Sequence, residues 1–386
     1  MDKLDDLFSL LIDPPAEYRS IPFWAWNDKL SKSELVFQIS EMKKQKAGGF
    51  FIHSREGLET EYLSDEWMEC VESSVNSAEK LNLEAWIYDE DKWPSGSAGG
   101  LVSAADSEEY TAKGLTAELI QFSKEPASES IAKNLRNDTD ILQIYTLALI
   151  GKEKLQSFKE INHADLEHCP DQTLLVMRAE KSGPSEWYNN QRPTDNLNPE
   201  AIKKFIELTH EKYRDKFSSG FGSSIKGFFT DEPNFCDFFS NFTPGRPWLP
   251  WTSRLAQIFE QQRGYSIYSI LPLLFFKGEQ YQKARHDFWL TLTELFLSSY
   301  TMQIYNWCEK NNLKLTGHML YENDLGYSTR VSGASMPHYR FMHAPGIDLL
   351  GDQRQEYLTV KQCTSVANQF GREMVISETY GCTGWE

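Results

Sequence analysis

Seven short apolar runs of β-type residues recur along the chain, each ending on a polar or charged residue, and helix-patterned segments lie between most of them. Such a chain folds most simply into a parallel sheet covered by helices, because parallel strands need helical crossovers and bury both faces. Two of the runs deliver a glutamate where the strand ends. Ile225–Asn234 (IKGFFTDEPN) carries Glu232, and Glu373–Gly381 (EMVISETYG) carries Glu378, 146 positions later. A (β/α)8 barrel builds its active site from carboxylates at C-terminal strand tips. Two of them point to acid/base chemistry on one substrate.

In chain order, Ile21–Asn27 reads as strand 1. Ser31 and Glu34 form a capping-box pattern, with Leu35, Ile39 and Met42 at helical spacing up to about Lys46. Gly48–Ser54 is strand 2. Ser64, followed by Asp65 and Glu66, starts a helix that the stripe Trp67, Val71, Val75, Ala78 and Leu81 carries to Leu81. Leu83–Asp89 is strand 3 and leads into Asp89-Glu90-Asp91 and Trp93-Pro94-Ser95-Gly96.

The pattern then breaks. Residues 101–190 hold separated β-type runs (Tyr110–Ile120, Ile141–Ile150, Thr173–Ala179), too long a stretch for a structureless loop, and read as a small β-rich domain inserted after strand 3. Asn198-Pro199 restarts helical patterning through Ile202, Phe205, Ile206, Thr209 and Tyr213. Strand 4 follows at Gly227–Asp231, then an irregular segment with a helix at Thr252–Arg263, and a long helix from Tyr281 to Lys310. Strand 5 is Lys314–Tyr321, strand 6 is Gly346–Leu350, a helix spans Arg354–Phe370, and strand 7 ends at Glu378.

The expected fold is therefore an incomplete (β/α)8 TIM-type barrel of about seven strands. Its first part is 1–100, the insertion 101–190 and its second part 191–386. A further β/α unit takes roughly 30 residues, so the chain is expected to stop before strand 8.

The strand tips bring together Trp24, Trp26 and Asn27; His53 and Arg55; Tyr88, Asp89, Glu90 and Trp93; Asp231 and Glu232; His318 and Glu322; Asp348; Glu378 and Tyr380. Carboxylates with aromatic walls suit glycoside cleavage. No serine elbow, phosphate-binding glycine loop or zinc-type histidine spacing accompanies them. Each residue also has an ordinary reading. Glu232 and Glu378 could form structural ion pairs or caps, and His53 and His318 could be satisfied core histidines. Trp24 and Trp26 share a strand face and serve either packing or sugar stacking. Asp89-Glu90-Asp91 fits a solvated turn, a clamp on sugar hydroxyls or an oxygen-rich Ca2+ site.

The net charge of -17 disfavours nucleic acid and anionic membranes as partners. The six cysteines lack metal spacing and read as free thiols. The N-terminal MDKLDDLFSLLIDPP fits neither a signal peptide nor a membrane span, so a cytoplasmic protein, of bacterial origin, is expected. No organic cofactor is expected.

Six blocks in order, FWAWND (Phe23–Asp28), GGFFIHSREGLETEYLSDEW (Gly48–Trp67), EAWIYDEDKWPSGSAGG (Glu84–Gly100), FFTDEP (Phe228–Pro233), TGHMLYE (Thr316–Glu322) and SETYGCTGW (Ser377–Trp385), resemble the catalytic barrel of glycoside hydrolase family 106, the α-L-rhamnosidases and their unassigned relatives. The resemblance implies a (β/α)8 barrel, inversion at the anomeric carbon, two catalytic glutamates and a calcium-dependent site. It gives Glu232 and Glu378 as the catalytic pair, taken here as general acid and general base with the reverse order left open, and Glu322 as a third candidate, catalyst or calcium ligand. Asp89 and Glu90 join Glu322 as metal candidates. Trp24, Trp26, Asn27, His53, Arg55, Tyr88, Asp89, Trp93, Asp231, His318, Glu322 and Tyr380 are the candidate substrate contacts. Relatives continue past the last block to finish the barrel and add β-sandwich domains, which are the expected missing partners of this chain. The rival readings are a retaining glycosidase of other sugar specificity and a non-catalytic carbohydrate-binding barrel. A carboxyl separation of about 5 Å marks retention and roughly 6.5–9.5 Å inversion.

Overall fold

The β-type runs lie side by side in a computed structural model that describes residues 3–122, 127–162, 165–166, 171–235, 240–350, 357–379 and 381. In chain order the strands are β1 (Phe23–Trp26), β2 (Gly49–Ser54), β3 (Glu84–Tyr88), β4 (Lys113–Phe122), β5 (Ile141–Ile150), β6 (Lys154–Ile161), β7 (Gln172–Lys181), β8 (Ile225–Asp231), β9 (Trp248–Trp251), β10 (Lys314–His318), β11 (Ala344–Leu349) and β12 (Ile376–Thr379). Seven form one parallel sheet in the order β1-β2-β3-β8-β10-β11-β12, which follows the chain without reversal. The other five form an antiparallel sheet, β6-β5-β7-β4-β9.

The parallel sheet has two apolar faces. On the outer one Trp24, Phe50, Ile87, Phe228 and Leu315 join the main core with the helices. On the inner one Phe51, Trp86, Tyr88 and Phe229 form a separate buried cluster, against which Ile21, Phe23 and Ile376 pack. Phe23 on β1 lies 4.8 Å from Phe229 on β8, ring centre to ring centre, although two strands separate them in the sheet. Residues from both edges thus meet one interior cluster, so the sheet is strongly curled. Among the described residues β1 and β12 do not pair with each other, and closure into an eight-stranded barrel remains an expectation.

Several local readings hold. Ser64 caps the helix Asp65–Leu81, its hydroxyl accepting the Trp67 N–H at 3.2 Å, and Asn198 caps Pro199–Leu208 through the Glu200 N–H at 3.0 Å. The run from Tyr281 to Lys310 is helical throughout, with a π turn at Leu297–Thr301.

Other readings need correction. The Ser31 hydroxyl makes no cap bond to the helix Lys32–Lys44; it pairs with the Ser33 hydroxyl at 3.0 Å, while Glu34 accepts from Gln38. The helix from Pro199 breaks at Thr209, where ψ is -80°, and a second one spans His210–Phe217. The antiparallel sheet holds one more strand from the insertion, β6, and also takes β9 from beyond residue 190. Leu115, Tyr145 and Leu175 of this sheet share the main core with the parallel-sheet helices.

No helix among the described residues is long and apolar enough to cross a membrane. Cys70, Cys308 and Cys363 are free and buried; Cys169, Cys236 and Cys382 lie outside the described residues.

Candidate active site

Strand register assembles the site. Asp231, the last residue of β8, lies beside His318, the last of β10. Asp348 on β11 lies beside Glu378 on β12. The close approach of β8 and β10 requires glycine at 317: its φ is +141°, and a Cβ there would stand 1.9 Å from the Thr230 carbonyl oxygen. All four side chains therefore reach the C-terminal end of the curled sheet. There they meet a cavity of about 380 Å³ lined by Asp231, Glu232, Glu322, Asp348 and Glu378, with Arg55, Trp93 and residues 319–321, 323 and 350. Five carboxylates against one guanidinium favour neutral, hydroxyl-rich ligands over anionic ones.

His318 is the hub. Its Nε2 lies 3.0 Å from Asp231 Oδ1 and 3.9 Å from Asp348 Oδ2, and its Nδ1 lies 3.9 Å from Glu378 Oε2. Burial disfavours the imidazolium, but contact with Asp231 and the charges of Glu378 and Asp348 outweigh it and raise the pKa well above 6.5. Asp231 is the counterpart. Burial pushes it up, yet His318 and the Tyr88 hydroxyl, donating to Oδ2 at 2.6 Å, hold it below the ordinary carboxylate value.

The two glutamates move the other way. Burial first, and then the Asp231, Asp348 and Glu378 charges, raise Glu232 from 4.5 to about 8 against the pull of His318. Burial, with Asp231 and Asp348, raises Glu378 to about 8 against His318 and Arg55. Two carboxyls held near 8 over one cavity can exchange protons with a substrate at neutral pH. Glu232 also sits at φ +46°, a left-handed conformation that costs a non-glycine residue roughly 1–3 kcal/mol and is concentrated at functional sites.

Glu322 lines the cavity with both oxygens engaged. One accepts the Asp348 N–H at 2.7 Å and the other the Tyr339 hydroxyl, and burial lifts its pKa to about 7.

The remaining candidates divide. Arg55 and Trp93 line the cavity. His53 is buried on the inner face under Tyr88, ring centres 3.9 Å apart, and burial lowers it to about 3, so it is neutral. Trp24 and Trp26 lie outside the site. They point into the helix layer, Trp24 donating to Gln38 at 2.7 Å and Trp26 meeting Trp67 edge to face at 4.8 Å. Asn27 is exposed and does not line the cavity.

Asp89 is fully buried and accepts from Ser95 at 2.6 Å. The Glu90 carboxylate is filled by the backbone N–H groups of Asp91, Gly96, Ser97, Ala98 and Gly99. Neither lines the cavity, and the Glu90 carboxylate is occupied by its own loop. Tyr380 lies outside the described residues.

Asp348 stood at a strand tip without an assigned role, and its position beside Glu378 is the signal that places it in the site. Tyr321, at φ +55°, also lines the cavity and had no sequence signal.

Calcium is implied by the family resemblance, and the carboxylates around the cavity fit it, whereas the charged His318 does not. Ligand atoms of Asp231, His318 and Glu378, and of Glu232, His318 and Asp348, lie within 4.8 Å of one another. Asp348 Oδ1 is buried with no hydrogen-bond partner. Carboxylate oxygens suit a hard divalent cation.

These groups make stability pH-dependent. Glu90, Glu322, Glu232 and Glu378 are raised to about 7, 7, 8 and 8, so between 4.5 and those values the folded state binds the extra protons and stability is lost as pH rises. Burial lowers His53, His210 and His338 to about 3, which costs stability as pH falls below 6.5. Above 6.5 only the first effect operates among these groups, joined by His318. The midpoint of thermal unfolding is expected to fall between pH 6.5 and 8 by differential scanning fluorimetry; a midpoint that is flat or rising there contradicts the raised carboxyls.

No family model matches the chain, and no curated protein does. Among solved structures it is similar to a rhamnosidase from Novosphingobium sp. PP1Y, with a TM-score of 0.61 and 14% sequence identity. That match covers 97% of this chain and 53% of the other, so the chain spans about half the length of that rhamnosidase. At this identity the likeness is one of fold.

Proposed function

We propose that the protein is a glycoside hydrolase of the α-L-rhamnosidase type, akin to family 106, whose curled sheet is the larger part of a (β/α)8 barrel. One observation carries the reading: Glu232, just after β8, and Glu378, on β12, are both raised to about 8 around a single acidic cavity. The structural likeness to a rhamnosidase supports it.

In the proposed reaction Glu232 is protonated and Glu378 ionised. Glu378 takes a proton from water as its oxygen bonds to the anomeric carbon. The bond from that carbon to the leaving oxygen breaks, and Glu232 gives its proton to that oxygen. The product sugar is inverted and the two glutamates have exchanged protonation states. His318, charged and beside Glu378, favours the ionised base. Calcium, when bound, would be held by Asp348, whose Oδ1 has no hydrogen-bond partner, and would supply positive charge for sugar hydroxyls.

The test is a panel of 4-nitrophenyl glycosides supplied with calcium, followed by proton NMR of the first-formed sugar. Release from the α-L-rhamnoside with β-L-rhamnose appearing first is expected. First appearance of the α anomer would remove inversion and leave a retaining enzyme, and silence across the whole panel would argue against the glycosidase reading itself.

A further inference from the structure

One aromatic wall of the cavity is supported from outside the parallel sheet. Trp93 lines the cavity and stands on the loop after β3, which is fixed at three places. Glu90 gathers five backbone N–H groups of this loop. Ser95 makes two hydrogen bonds to the Asp231 backbone, both 2.8 Å. The third support comes from the turn that follows β7. There the Trp187 indole N–H donates to the Trp93 carbonyl at 2.6 Å, and the two indoles meet edge to face at 5.9 Å between ring centres. Asn189 adds hydrogen bonds of 3.0 Å to Asp91 Oδ2 and to the Gly99 carbonyl.

The position of this loop relative to the chemistry follows from sheet order. Its Ser95 docks on the residue that precedes Glu232. Its strand, β3, neighbours β8, whereas β12, which carries Glu378, lies three places beyond β8. Trp93 thus follows the strand next to the one that leads to Glu232, and β3 lies four places from the strand that carries Glu378. The acid faces the departing oxygen, and the base works from the opposite face of the sugar.

We infer that Trp93 is the platform for the ring of the leaving group, and that Trp187, acting through Trp93, is a positioning residue by which the β-rich segment sets leaving-group selectivity. This rests on the reading of Glu232 as the acid. An indole offers a flat apolar face that suits an aryl or pyranose ring.

Two substrates with the same sugar separate the possibilities: 4-nitrophenyl α-L-rhamnoside, whose leaving group is a ring, and α-L-rhamnosyl fluoride, whose leaving group is a single atom. In Trp187→Ala the KM for the nitrophenyl substrate is expected to rise about tenfold. Its loss in kcat/KM should exceed the loss on the fluoride by about fivefold or more. Trp187→Phe, which keeps a ring but loses the N–H donor, should fall between wild type and Trp187→Ala, and it decides the matter if the alanine variant does not fold. Equal losses on both substrates, or a loss confined to kcat, would overturn the inference while leaving the glycosidase reading intact. If the unmodified protein turns over neither substrate, the glycosidase reading fails and the inference falls with it.

Discussion

Glu378→Gln is expected to lower turnover of a nitrophenyl rhamnoside by about 10³- to 10⁴-fold, the upper range for removal of a general base. Glutamine keeps the shape and loses the proton acceptor. It also removes one of the carboxyls raised to about 8, so the variant should unfold at the same or a higher temperature than the native protein at pH 8. Steady-state kinetics and a melting curve on the same preparation read both effects. More than about a tenth of the native rate surviving in a folded variant would take the base role from Glu378.

The second large effect depends on the leaving group. With a sugar or alkyl leaving group, Glu232→Gln should cost about 10³-fold or more, because the departing oxygen then leaves as an anion. Fluoride departs without protonation, so rhamnosyl fluoride should lose far less. Glu378 ionises and Glu232 loses its proton both at about 8, so kcat/KM should peak near pH 8, and its alkaline limb should vanish in the variant. If leaving-group dependence and loss of the limb appear instead in Glu378→Gln, the two glutamates exchange roles. If neither variant discriminates, protonation of the leaving group is not their task.

How much of this was legible in the sequence can be judged residue by residue. The helix Asp65–Leu81 was read with its exact ends because three local signals agree there: a serine cap, two acids in the first turn and one apolar stripe. The tips carrying Glu232 and Glu378 were legible for the same reason, since a strand that stops at a charged residue announces its end. The side a residue faces was harder. Trp24 and Trp26 alternate visibly, but only the helix partners Gln38 and Trp67 decide that this side is the helix layer.

Long-range contacts account for the other misreadings. Nothing in Asp89-Glu90-Asp91 announces that Glu90 will be enclosed by the backbone of residues 96–99, six to nine positions ahead. β9 escaped because Trp248–Trp251 reads WLPW, and proline demotes a strand. It is tolerated here at a sheet edge, where, among the described residues, β4 is its only strand partner. At Ser31 the signal was present, but the nearby Ser33 hydroxyl captured it.

The strand β9 has a kinetic consequence. Glu232 lies on the connection between β8 in one sheet and β9 in the other, so the segment that carries it is tied to both sheets. Pairing β9 with β4 joins segments more than a hundred residues apart, a non-local contact of the kind that slows folding.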